Sequence, residues 1–233
     1  MKEQGDFDRT AIARAASIAS PGMAESKDLF DFKRRACATR DGLWSELVYC
    51  ILAGTQVPIE TARRAHSQLC ISGIAVLRSI ATRPVDSQRR IAEMLRKSGY
   101  RYHGRKASTI VAAAVFFAER HGGDLTRFVS AGDVESRVVE LVKNVAGIGM
   151  KIANHWLRNV GMDTCTIDLH LKRLLVELNV YSGKPERDLS PKEFWRFVDF
   201  FRTVASELGR PLGEVQYAVW LAARERSRRE HVM

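Results

Sequence analysis

The 233-residue chain carries 37 Lys and Arg against 27 Asp and Glu, a net charge of +10 and a pI near 9.8, so its field favours an acidic polymer bound through phosphate neutralisation. No apolar run approaches the roughly 20 residues that a bilayer span needs, and the mixed-charge opening MKEQGDFDRT lacks the apolar core of a convincing signal peptide, so neither a bilayer span nor a signal segment is expected. Cys37, Cys50, Cys70 and Cys165 stand far apart with no C-x-x-C pairing, a pattern of reduced cytoplasmic thiols rather than of structural zinc.

In chain order, residues 1–25 hold small residues, a Pro-Gly pair and few large apolar anchors, and read as a frayed extension with Met23 available as an internal start. Residues 27–39 form a helix that offers Leu29, Phe30 and Phe32 to a core. An apolar helix over 43–53 ends at Gly54, the loop 55–58 contains Gln56 and Pro58, and a helix over 59–71 follows. Cys50 and Cys70 fall in the apolar patterns of these helices, whereas Arg63, Arg64 and His66 belong to a solvated face. Further helices are predicted over 74–81 and 86–98.

Residues 99–106, GYRYHGRK, interleave aromatic rings with cations before a helix over 107–121. Such a stretch suits a loop against a nucleic-acid strand, with Arg105 at a phosphate, although for any single residue a basic helix start is the simpler reading. The break at Gly122-Gly123-Asp124 leads to a short helix over 125–130 and another over 134–145, in which Val139, Leu141, Val142 and Val145 recur at helical spacing.

The centre of the chain is Gly147-Ile148-Gly149-Met150-Lys151. Gly147 and Gly149 bracket one apolar residue, and glycine lets a foreign backbone approach closely. From Met150 the spacing of Ile152, Ala153, Trp156, Leu157 and Val160 is helical again, with Gly161 as C-terminal cap. The second helix thus begins at the glycines with its free N–H groups outward, a site a DNA phosphate would satisfy. A plain tight turn between helices has the same sequence.

Lys151 lies in the first turn, where the helix dipole and burial favour the neutral, nucleophilic amine, though a solvated surface lysine fits the residue alone. The helix 150–160 rises about 15 Å and the segment 162–167, extended, returns about 20 Å, so Asp168 can come back beside Lys151. Asp168 is also the natural N-cap of a helix over 169–178, and the two roles are compatible. Beyond it, 182–190 is a polar turn, Ser190-Pro191-Lys192-Glu193 reads as a capping box opening a helix to 208, and a last helix over 212–226 contains Gln216, Tyr217 and Trp220.

The runs GIGMK (147–151), ANHWLRNVG (153–161) and IDLHLKR (167–173) resemble the helix-hairpin-helix DNA glycosylase superfamily, in the branch whose hairpin ends in lysine. ELVYCILAGTQ (46–56), LRKSGYRYHGRKASTIV (95–111) and PLGEVQYAVW (211–220) narrow the resemblance to the short prokaryotic 8-oxoguanine DNA glycosylase/AP lyases, over about residues 40–220. It implies an all-α, two-lobed fold with the active site in the cleft between lobes, one lobe being 44–162 and the other 1–43 with 163–233. It implies a bifunctional enzyme in which Lys151 forms a Schiff base on damaged double-stranded DNA and the strand is cleaved by β-elimination. Neither metal nor cofactor is required, and no cysteine follows Cys165 to hold the iron–sulfur centre of endonuclease-III-like relatives.

In the same resemblance Asp168 stabilises charge on the sugar and can help deprotonate the nucleophile, Gly147 and Gly149 grip a phosphate, His170 approaches another, and Trp220 stacks on the flipped base. Gln56 would enter the space the base leaves; read by itself, it is a loop amide bonded to its own turn. His170 and Trp220 taken singly fit a structural histidine and a core indole. The chain departs from the family where Gln216 replaces the usual aspartate and where several arginines follow in place of a terminal lysine. The alternatives are the same chemistry on another modified base, or a helix-hairpin-helix module that only binds DNA. A monomer associated with the nucleoid is expected.

Overall fold

The computed structural model describes residues 7–54, 57–130 and 132–230, with side chains as far as Arg226. Among them every regular element is helical: α1 (Arg9–Ala19), α2 (Met23–Ala36), α3 (Arg40–Ala53), α4 (Ile59–Ile71), α5 (Leu77–Thr82), α6 (Pro84–Lys97), α7 (His103–His121), α8 (Leu125–Ser130), α9 (Val134–Asn144), α10 (Met150–Asn159), α11 (Leu169–Glu177), α12 (Pro191–Glu207) and α13 (Leu212–Glu230). The chain divides into two compact units, Arg34–Met162, and Met1–Lys33 together with Asp163–Met233. The first division falls at Lys33/Arg34, within α2, and leaves α3 and its N-cap Thr39 wholly with the middle of the chain.

The Arg34–Met162 unit is built around Trp156 of α10. Its ring stacks on Phe128 with centroids 5.8 Å apart, meets Phe117 edge-on at 5.8 Å, and donates its indole N–H to the Leu43 carbonyl at 3.0 Å. Burying an aromatic of this size with its one polar atom satisfied gives a rigid centre. A second tie joins α10 to α3. Asn159 donates to Glu46 Oε1 at 2.6 Å and accepts from the buried Arg158 guanidinium at 2.8 Å, so its amide gives both buried ionisable groups a hydrogen-bond partner. Gly54 closes α3 against α10, for a Cβ there would lie 2.5 Å from Ile152 Cγ1.

The other unit joins the chain's two ends. α1 packs on α12 and α13, and α13 also packs on α11. Ser190 and Glu193 form the capping box reciprocally, with Pro191 in the first turn.

Several expectations are corrected. The frayed N-terminal extension does not extend to α1, where Asp8 caps the helix and Ala11, Ile12, Ala15 and Ala19 are buried. Alanines on one face permit close helix approach without large side chains, so no apolar signal marks them. Phe30 is buried but Phe32 is 59% exposed, on the opposite side of α2. On α9 the buried residues are Val138 and Leu141, while Val139 and Val142 face solvent. Cys70 is exposed, and His66 is half-buried and hydrogen-bonded rather than an ordinary solvated charge.

Candidate active site

The hairpin is rigid for reasons that involve α7. Gly147 has φ 89°, and a Cβ there would stand 2.1 Å from Thr109 Oγ1, so only glycine fits the turn. Ile148 is buried and donates its N–H to the Val145 carbonyl at 3.1 Å, pinning the hairpin tip inward. Gly149 is the N-cap of α10 and supplies no side-chain cap, and no acidic residue occupies the first turn. The first intrahelical bond runs from Ala153 N–H to the Gly149 carbonyl, which leaves the preceding N–H groups pointing out of the helix end. A Cβ on Gly149 would meet nothing, so the ground over these donors is open. An uncapped helix end with open space before it has the geometry that an anion site needs.

Lys151 stands in this first turn, partly exposed, with Ile152 and Ala153 buried behind it. One turn further on the same helix side, His155 faces Tyr49 edge-on at 6.3 Å. Arg105 is exposed at the start of α7, which begins at His103 rather than at 107. The earlier start draws Lys106 into the helix and buries it to 3% exposure, a position sequence reasoning missed. Tyr100 is buried too and donates its hydroxyl to the Leu52 carbonyl.

In the other unit Asp168 caps α11. Its Oδ1 accepts the Leu171 N–H at 3.1 Å and its Oδ2 accepts the Trp220 indole N–H at 2.8 Å. Both oxygens are therefore fixed, and the carboxylate plane with them. Trp220 is stacked on Tyr217 with centroids 5.4 Å apart, and the Arg224 guanidinium lies 5.2 Å from its ring. Gln216 is 1% exposed and its Oε1 accepts the Thr166 N–H at 3.3 Å, bracing the segment that delivers Asp168. His170 is partly exposed in the first turn of α11. Gln56 lies outside the described residues.

The sequence-predicted residues thus assemble in two sets. Gly147, Gly149, Lys151 and Arg105 belong to the Arg34–Met162 unit, while Asp168, His170, Gln216 and Trp220 belong to the other. Chemically, the first set offers an amine beside an uncapped helix N-terminus, and the second offers an oriented carboxylate. No group of three or more His, Cys, Asp or Glu side chains among the described residues could hold a metal ion.

The model of the family described as Ogg-HhH, 8-oxoguanine DNA glycosylase, matches residues 25–210. Among similar proteins, the 8-oxoguanine DNA glycosylase/AP lyase of Metallosphaera sedula is 26% identical over 193 residues, covering 82% of this chain and 86% of its own length. The crystal structure of the 8-oxoguanine DNA glycosylase of Thermotoga maritima superposes with a TM-score of 0.73 at 25% identity, covering 90% of this chain and 93% of that one. The Methanocaldococcus jannaschii 8-oxoguanine glycosylase/lyase, solved in complex with 15mer DNA containing 8-oxoguanine, superposes with a TM-score of 0.69 at 25% identity, covering 88% of this chain and 94% of that one.

Proposed function

The chain belongs to the 8-oxoguanine DNA glycosylase family, and on that premise we propose that it excises 8-oxoguanine from double-stranded DNA through a Schiff base on Lys151 and then cleaves the strand as an AP lyase. The observation that carries the reading is the place of Lys151, an amine in the first turn of α10 directly behind the uncapped hairpin N-terminus. A phosphate held by those N–H groups brings the adjoining sugar of a flipped nucleotide to the amine.

In the proposed reaction Lys151 attacks C1′, the C1′–N9 bond breaks, and the base leaves with the bonding pair. Positive charge grows on the sugar as the bond lengthens, and the Asp168 carboxylate stabilises it. The bonds from Leu171 and Trp220 hold that carboxylate still, so it need not reorganise as the charge appears. Loss of the C2′ proton from the resulting imine expels the 3′ phosphate. Arg105 and His170 contribute phosphate contacts, Trp220 and Gln216 belong to the base-binding side, and Gln56 occupies the space the extruded base vacates. The two compact units are the two lobes of the enzyme, which works as a monomer on chromosomal DNA in the cytoplasm.

Borohydride trapping tests this on duplexes that differ only in one base: 8-oxoguanine, an oxidised pyrimidine, an abasic site and normal guanine. A covalent adduct with 8-oxoguanine, absent in Lys151→Gln although that variant still binds the duplex, is the expected result. Trapping on the abasic duplex alone would move the chemistry to another base. Adducts that persist in Lys151→Gln would remove Lys151 as nucleophile.

A further inference from the structure

The mechanism above uses one lysine of the Arg34–Met162 unit, but a second amine is buried in the same unit, close enough for Lys151 to act on it electrostatically. Lys106 lies in the first turns of α7, one turn ahead of Thr109, whose hydroxyl fills the space over Gly147. It is 3% exposed. Neither a hydrogen bond nor an ion pair with the described residues satisfies its ammonium, and the charged groups acting on it are both cations: Arg105 on its own helix and Lys151 from α10. The helices packed against α7, namely α3, α5, α6 and α8, bring no charged group to bear on it. The positive end of the α7 dipole disfavours a cation further.

A buried, uncompensated lysine is costly to retain for structure, because its charged form loses hydration and gains no partner. Its consequence is chemical. Burial first, then Arg105 and Lys151, pulls the Lys106 amine down to about 8, so a usable fraction is free base near neutral pH. That is the range in which a general base works best. Perturbed amines of this kind concentrate where protons are moved.

We propose that Lys106 is the general base that takes the proton from the attacking nitrogen of Lys151. This rests on Lys151 being the nucleophile. As the Lys151 amine bonds to C1′ and the base leaves, its nitrogen becomes a secondary ammonium. The lone pair of Lys106 accepts one of that nitrogen's protons, leaving a neutral aminal and a Lys106 ammonium. The Lys151 nitrogen then forms the C=N bond while the C1′–O4′ pair moves to O4′. Lys106 returns its proton to O4′, ending neutral, so no external acid or base is consumed. Asp168 is thereby left to its role of stabilising charge on the sugar.

The test is the single-turnover rate of borohydride-trappable adduct on an abasic duplex from about pH 6 to about pH 10, for the wild type, Lys106→Met, Lys106→Arg and Lys106→Gln, with duplex affinity measured alongside. The wild-type rate is expected to rise with pH through about 8. Met, Gln and Arg should each lose about 100-fold and lose that rise, with affinity kept, since positioned general bases contribute on that order. Recovery by Arg, a cation that is never a base in this range, would overturn the proposal in favour of a purely electrostatic role. A wild-type rate with no rise, or a Met variant as fast as the wild type, would also overturn it. Failure of the underlying reading shows separately, as trapping that survives Lys151→Gln.

Discussion

The indole N–H of Trp220 donates to Oδ2 of Asp168 at 2.8 Å, joining a residue of the last helix to the N-cap of α11. The same carboxylate already accepts the Leu171 N–H through Oδ1, so Trp220 decides how the plane of Asp168 lies rather than whether it is held at all. Trp220→Phe keeps a ring for Tyr217 to stack on and removes the donor. A hydrogen bond to a charged group contributes about 1.5–3 kcal/mol, and a part of that felt in the transition state is about tenfold in rate. Single-turnover excision should slow by about that factor while duplex affinity holds. An unchanged excision rate would mean that the indole does not orient the carboxylate.

The two hairpin glycines should fail differently. At Gly147 the left-handed backbone costs an L-residue about 1–2 kcal/mol, and the overlap with Thr109 Oγ1 adds about 1–3 kcal/mol, so Gly147→Ala should lower stability by about 2–4 kcal/mol. Adding Thr109→Ala should recover part of this, because the overlapping hydroxyl is gone and the backbone strain is not. At Gly149 φ is −103° and a Cβ has open space, so Gly149→Ala should unfold within about 1 kcal/mol of the wild type yet bind duplex more weakly. Thermal denaturation and salt-dependent binding of the three variants check this. Equal destabilisation at both positions would contradict the geometry.

These residues also show what the sequence makes legible. G-x-G-x-K ahead of a periodic helix carries local information: two glycines, a helix start and a first-turn lysine are all set by neighbours in the chain. Asp168 is equally local, since its capping bond goes to Leu171 three residues on. The partnership of Asp168 with Trp220, and of Gln216 with the Thr166 backbone, arises only from packing of α13 beside α11. Lys106 was hidden for another reason: in GRKAS it has the same appearance as any basic helix start, and its burial follows from α7 beginning at His103. In α1 small residues pack closely without the large apolar side chains that mark a core helix.

Cys70 should be the reactive thiol of the chain. It is exposed, whereas Cys37, Cys50 and Cys165 are buried. The His66 ring, 3.5 Å from its sulfur, holds the Cys70 thiol below its ordinary value against the opposing effect of burial. Burial alone would lower His66, but its hydrogen bonds with Cys70 and with the Ser45 carbonyl leave it raised. Because the thiolate is the nucleophile, alkylation by iodoacetamide should label Cys70 first at neutral pH, and His66→Ala should slow that labelling several-fold. Mass spectrometry of partially alkylated protein reads both effects. Prior labelling of Cys50 or Cys165 would contradict the placement.

Lys106 predicts a pH dependence of stability whose sign is set by its environment. In the folded chain its amine titrates at about 8, whereas in the unfolded chain it returns to the ordinary lysine value of about 10.4. Between these values the unfolded state binds more protons, so stability rises with pH across that window. Below about 8 both states hold the proton and the full cost of a buried, unpaired ammonium is present. Lys106→Met removes the charge and keeps most of the apolar stem's volume, so it should be more stable than the wild type at pH 7. The difference should shrink as pH climbs from about 8 and vanish above about 10.4, when neither fold nor coil carries the charge. Urea unfolding of the pair across this range reads the difference directly. A gap that stays constant with pH would show that Lys106 is solvated in the native state, and would leave it without the free-base character its sealed position confers.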